Sequence, residues 1–120
     1  MHIGVVYYYI SDMNRSLAFY RDKLGLDCKR VEFDLPYPWA ELDTGGTILA
    51  LEEFRTRKPS HKPPWGGAVV SFQVKNIEQV KAGLESKGIP FLSDIQDLGE
   101  VKIVQFEDPD GNVLELHQRI

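Results

Sequence analysis

The feature that most constrains this chain is that its 120 residues read as one pattern written twice. In the first half, Val5-Val6-Tyr7-Tyr8-Tyr9-Ile10 has the β-branched and aromatic content of a strand. Ser11 or Asp12 can cap the helix that follows, in which Met13, Leu17, Phe19, Tyr20 and Leu24 recur largely at three- and four-residue spacing. Gly25 stands where a left-handed residue would end that helix. Three strand segments come next, Asp27 to Phe33, Trp39 to Asp43 and Thr47 to Glu52, the last two joined through Thr44-Gly45-Gly46, which suits a tight hairpin. The second half repeats the order: strand Ala68 to Val74, cap Asn76, helix Ile77 to Ser86, then Gly88 and strand segments Pro90 to Ser93, Val101 to Phe106 and Asn112 to His117. The halves align at an offset of 64, which pairs Val5 with Val69, Ile10 with Val74 and Asp12 with Asn76. At an offset of 65, Gly46 meets Gly111, Ala50 meets Glu115 and Leu51 meets Leu116.

Each half is therefore a βαβββ module, and the expected fold is α+β: two tandem modules forming a curved mixed sheet with the helices on its outer face. The boundaries fall at about 3–53 and 68–118, with a linker of about 54–67 containing Pro59, Pro63, Pro64, Gly66 and Gly67. A chain of this length is one domain, because a module of about 50 residues buries too little surface to stand alone. Strand alternation sorts the side chains. Leu42, Leu49, Leu51, Leu114 and Leu116 fall under the helices, while Trp39, Glu41, Ala50, Glu52, Glu115 and His117 fall on the opposite, concave face. Tyr7 and Tyr9 share a face with Val5, and Ser71 and Gln73 follow Val69.

Two segments carry a family resemblance that covers nearly the whole chain. They are Ile10-Ser11-Asp12-Met13-Asn14-Arg15-Ser16-Leu17-Ala18-Phe19-Tyr20 with Leu24-Gly25-Leu26, and Glu107-Asp108-Pro109-Asp110-Gly111-Asn112-Val113-Leu114-Glu115-Leu116. In these the chain resembles the vicinal oxygen chelate superfamily, which includes glyoxalase I, bleomycin resistance proteins, fosfomycin resistance enzymes and extradiol dioxygenases. The resemblance implies four metal-ligand positions, one on the first and one on the last strand of each half, and its motifs place them at Val5, Ala50, Val69 and Glu115. Two valines and an alanine cannot donate to a metal, and one carboxylate falls short of the three protein ligands a catalytic ion takes. No metal and no other cofactor is therefore expected.

The residues left to build a site are Tyr7, Trp39, Glu41, Glu115 and His117, an apolar cleft with a few polar groups, the usual makeup of a small-molecule site. Trp39 and Glu41 lead this set, because an aromatic face attracts a planar or cationic ligand and a carboxylate adds charge pairing. The resulting expectation is a glyoxalase or bleomycin resistance-like protein that binds a small molecule in a concave cleft, with antibiotic sequestration as one form of that binding, and forms a homodimer. The alternatives are an enzyme, a lyase, isomerase or dioxygenase-like catalyst using Glu115 with a nonstandard metal site or metal-free acid/base chemistry, and an interaction module. His2 and His61 could approach Glu115 and His117 from other segments, and Trp65 could serve as a lid or dimer anchor.

Composition narrows the partners. A formal net charge of −4 argues against a nucleic-acid backbone, and the one basic cluster, Arg55-Thr56-Arg57-Lys58 with Lys62, lies in the linker. No segment approaches the ~20 apolar residues of a membrane span. The single cysteine, Cys28, and a start without a basic, cleavable leader are expected of a cytoplasmic protein.

Overall fold

In the computed structural model, residues 1–34, 37–54 and 68–120 are described. The chain divides into two compact units, Met1–Pro64 and Trp65–Ile120. The expected linker from residue 55 onward, with its basic cluster, His61 and Trp65, lies outside the described residues.

The first unit contains strand β1 (Val5–Ile10), helix α1 (Met13–Leu17), a π-helical segment (Ala18–Lys23), and strands β2 (Asp27–Glu32), β3 (Trp39–Asp43) and β4 (Ile48–Glu53). The strands form a mixed sheet in the order β1-β4-β3-β2, with β1 parallel to β4 and the other pairs antiparallel. The second unit contains strand β5 (Val70–Gln73), helix α2 (Ile77–Ser86), and strands β6 (Gln96–Asp97), β7 (Val101–Glu107) and β8 (Val113–Arg119), in the equivalent order β5-β8-β7-β6. Both units are thus βαβββ modules, as the repeat predicts.

The leucine alternation sets the core. Leu42, Leu49, Leu51, Leu114 and Leu116 are buried, and α1 packs on β4 as α2 packs on β8. Each helix is held at its start by two side chains, one local and one distant. Asp12 accepts from the Arg15 amide at 3.1 Å, and Asn76 accepts from the Gln79 amide at 3.0 Å. The Met13 amide donates to Glu53 Oε2 at 2.8 Å, and the Ile77 amide donates to Gln118 Oε1 at 2.8 Å. The last strand of each module therefore caps the first helix of the same module, satisfying an amide the helix itself leaves open.

Four local features depart from the sequence reading. The first helix is not α-helical to its end: from Ala18 it widens, and the Leu24 amide donates to Phe19 O, five residues back, at 2.9 Å. Ser16, Leu17, Phe19 and Tyr20 are all buried there, a broader arc than a ~100° α-helical stripe holds. Pro90 to Ser93 is not a strand. It makes one bridge, Phe91 to Phe106, plus a Leu92 amide bond to Gln105 O at 2.9 Å, and the edge strand is instead Gln96–Asp97. Proline brings no amide to a ladder, and the Phe91 ring is held by Phe106 with centroids 5.1 Å apart. The β3–β4 connection is wider than a two-residue hairpin, since the last pair before it is Leu42 with Leu49. It is organised by Thr44 Oγ1 donating to Thr47 O and by the Gly45 amide donating to Asp43 Oδ1, with Gly45 at φ +93°. An even number of residues lies between the last paired positions, so the facing of the two strands is unchanged. Finally, β2 carries a bulge: Cys28 pairs with Leu42, but Arg30, not Lys29, pairs with Glu41.

Candidate functional site

The face of each sheet opposite the leucines carries the candidate residues, and strand register sorts them into rows, because directly paired residues project to the same side. In the first module one row runs Tyr7, Ala50, Glu41, Arg30, and the next runs Tyr9, Glu52, Trp39, Glu32. The Tyr7 and Trp39 rings lie 5.4 Å apart at a tilt of 56°, and Tyr7 meets Tyr9 edge to face at 5.7 Å. Trp39 Nε1 donates to Glu41 Oε2 at 2.9 Å, which fixes the indole plane and orients the carboxylate. Glu52 is buried in the row of Tyr9 and Trp39. Tyr7, Trp39 and Glu41, selected from the sequence, thus meet on one surface, a set of rigid aromatics with a placed carboxylate.

Arg30 is the residue that alternation alone misses. Without the bulge at Lys29, Arg30 would oppose Ala40, which is buried on the core side; with it, Arg30 faces Glu41. Bulges commonly re-aim side chains in this way. The guanidinium lies 3.9 Å from Glu41 Oε2 through Nη1 and 3.2 Å from Glu32 Oε1 through Nε. The acidic character expected of this face is therefore partly balanced by a cation at its edge.

In the second module the corresponding rows are Ser71, Glu115, Gln105 and Gln73, His117, Ile103. Ser71 Oγ donates to Glu115 Oε1 at 2.8 Å and contacts His117 Nδ1 at 2.6 Å, while Gln105 Nε2 donates to Glu115 Oε2 at 3.1 Å. Glu115 and His117 are thus brought together through Ser71, and both carboxylate oxygens are engaged. The sequence reading places Ser71 after Val69 on this face without selecting it as a site residue, and it does not reach Gln105. Ser71 was findable, since the offset of 64 that aligns Val5 with Val69 also puts Ser71 at the place of Tyr7.

The four positions at which the resemblance implies metal ligands do not fit a metal. Val5 and Val69 are exposed valines, Ala50 is fully buried with only a methyl group, and Glu115 is committed to Ser71 and Gln105. Among the described residues no three His, Cys, Asp or Glu side chains gather as a metal would require. Cys28 is a half-exposed free thiol whose Sγ lies 3.6 Å from Arg30 O, beside the bulge rather than in either row. Among the described residues no helix is long and apolar enough to cross a membrane.

Comparison with known proteins accounts for this scaffold. The chain is similar to the uncharacterized protein YurT of Bacillus subtilis (strain 168), 32% identical over 130 aligned positions that cover 99% of this chain and all of the relative. Among solved structures it resembles a glyoxalase family protein from Enterococcus faecalis, with a TM-score of 0.80, 29% identity and coverage of 97% of this chain and 96% of the other. It shares its fold with TnmS3, an antibiotic binding protein from Streptomyces sp. CB03234, at a TM-score of 0.79 and 23% identity, covering all of this chain and 97% of that one. A single family model matches residues 2–116, nearly the whole chain, and the chain belongs to the Glyoxalase/Bleomycin resistance protein/Dioxygenase superfamily.

Proposed function

We propose that the chain binds a small planar molecule on the face of the first module that carries Tyr7, Trp39 and Glu41, without the metal site of the family's enzymes. The observation that carries this reading is the Trp39 indole, fixed by its bond to Glu41 and lying 5.4 Å from the Tyr7 ring at a tilt of 56°, on a face with no role in the leucine core. Two rings held at an angle by a hydrogen bond offer contact area with little ordering cost when a ligand arrives. Support also comes from TnmS3, an antibiotic binding protein by its description, which has the same fold. In this reading the two modules, about 3–53 and 68–118, make one domain that works in the cytoplasm as a homodimer and sequesters its ligand, an antibiotic-like compound. Glu115 and His117 offer polar groups for ligand contact on the second module's own face.

The test is a fluorescence and thermal-shift titration with a panel of planar cationic antibiotics, on the wild type and on Trp39→Leu and Glu41→Gln. A stacked cation contributes about 0.5–2 kcal/mol, so Trp39→Leu weakens binding roughly 2- to 30-fold. Absence of both quenching and stabilisation by every compound refutes the reading. Binding that is insensitive to Trp39→Leu moves the site elsewhere.

A further inference from the structure

Hydrogen counting at the Ser71 cluster leads to a second activity on the other module. Ser71 Oγ has one hydrogen and two polar neighbours, Glu115 Oε1 at 2.8 Å and His117 Nδ1 at 2.6 Å. Glu115 receives a second hydrogen bond at Oε2 from Gln105 Nε2 at 3.1 Å, so both of its oxygens act as acceptors, the arrangement of an ionised carboxylate. A carboxylate of that kind takes the serine hydrogen, and Ser71 Oγ can then only accept from His117. The proton of the neutral imidazole therefore resides on Nδ1, the reverse of the preference of free histidine in water, and the lone pair resides on Nε2. Direction runs one way through the cluster: His117 Nδ1–H to Ser71 Oγ–H to Glu115.

From this geometry we propose that His117 Nε2 is a metal-independent proton acceptor, positioned by Ser71 and Glu115, for a carbon acid whose C–H is acidified by a neighbouring carbonyl group or heteroaromatic ring. Imidazole is a weak base, which restricts the substrate to such activated C–H bonds. When Nε2 takes the proton, the imidazolium is stabilised by the bond that Nδ1 already donates, with the Glu115 charge one hydroxyl away. Gln73 and the half-buried Ile103 flank the ring on the same row, so an apolar planar substrate has one side on which to rest. Ser71 here is not a nucleophile, because its hydrogen is given to Glu115 and not to histidine. The inference stands on the second module alone and does not depend on ligand binding at Tyr7 and Trp39.

The test has two arms on the full chain. The first is 15N NMR of the imidazole nitrogens, which reads the tautomer of His117 without any ligand. The second uses 5-nitrobenzisoxazole as a probe carbon acid in buffer containing EDTA. The base removes the C3 proton to Nε2, the C–H electron pair becomes the third bond of a nitrile, and the ring N–O bond breaks to give a coloured cyanophenolate; His117 returns the proton to water. Expected results are the Nδ1–H form in the wild type, a probe rate that falls at least tenfold in His117→Gln, and a shift toward Nε2–H with a slower rate in Ser71→Ala. Ser71→Thr, which keeps the hydroxyl, restores both readouts and controls for folding. An Nε2–H tautomer in the wild type, a rate unchanged in His117→Gln, or a rate abolished by EDTA each overturns the proposal.

Discussion

Ser16 is fully buried in the first helix, and among the described residues its Oγ has no hydrogen-bond partner. Its amide is satisfied, donating to Asp12 O at 3.0 Å, while the hydroxyl bears the cost of burial. Replacing it with alanine removes an unpaired hydroxyl, a penalty of about 1–3 kcal/mol. Higher helix propensity adds roughly 0.5 kcal/mol. Against these stands the loss of one oxygen's dispersion contacts, at ~0.1–0.2 kcal/mol each, or about 0.5 kcal/mol for a handful. The balance is a gain of about 1–3 kcal/mol, which in a domain of this size raises the melting temperature by roughly 4–12 °C. Urea unfolding and differential scanning calorimetry on Ser16→Ala measure it, with Ser16→Val as the contrast, since the second branch that valine adds to a fully buried position destabilises. A melting temperature equal to or below that of the wild type refutes the reasoning, because it means that the hydroxyl is satisfied inside the folded chain.

Other consequences can be measured in the same way. Gln118→Ala removes a neutral cap from the Ile77 amide and costs about 1 kcal/mol in urea unfolding, whereas Glu53→Ala removes a charged one from Met13 and costs about 1.5–3 kcal/mol; equal losses would show that charge at the helix start contributes nothing. Two glycine-to-alanine changes should move stability in opposite directions. Gly111 sits at φ +84° with a built Cβ 3.3 Å from Glu107 Oε2, so alanine there destabilises by about 1 kcal/mol, while Gly83 lies within α2 with open space around it and gains about 0.8–1 kcal/mol. In acid, the hydrogen bond from Lys102 and then its own backbone bond hold the Glu78 carboxyl below the ordinary glutamate value, as Arg21 does for Asp22. Depressed carboxyl groups contribute stability above their unfolded pKa and lose it as pH falls through the folded one. Lys102→Met therefore moves the NMR titration midpoint of Glu78 upward and removes its share of the acid dependence.

The repeat was legible because its marks are local. A cap residue, a glycine at φ +77° or +87° after a helix, and leucines at alternate strand positions act through their nearest neighbours, and Asp12, Asn76, Gly25 and Gly88 hold the places that the sequence reading gives them. The facing of Trp39 and Glu41 away from Leu42 follows from the same alternation. What escaped depends on partners far along the chain. The bulge that turns Arg30 toward Glu41 exists only in the register between β2 and β3, and nothing in Cys28-Lys29-Arg30 by itself announces it. Ser71 gains meaning only when β5 lies parallel beside β8 and brings it against Glu115 and His117. Proline at the head of Pro90 to Ser93 brings no amide to a ladder, a local mark against a strand there, and the edge strand forms further on at Gln96–Asp97.

The caps that reach from last strand to first helix bear on the order in which a module assembles. The Met13 amide cannot meet its acceptor until Glu53, 40 residues later, has been made and placed, and Ile77 waits 41 residues for Gln118. The parallel pairing of β1 with β4, and of β5 with β8, imposes the same wait on the first strand. Loop closure over such distances must precede the contacts that reward it. During synthesis the helix start and the first strand of each module therefore wait for these partners until its final strand has emerged, so a truncation that removes only the last few residues of a module takes the cap from its helix as well.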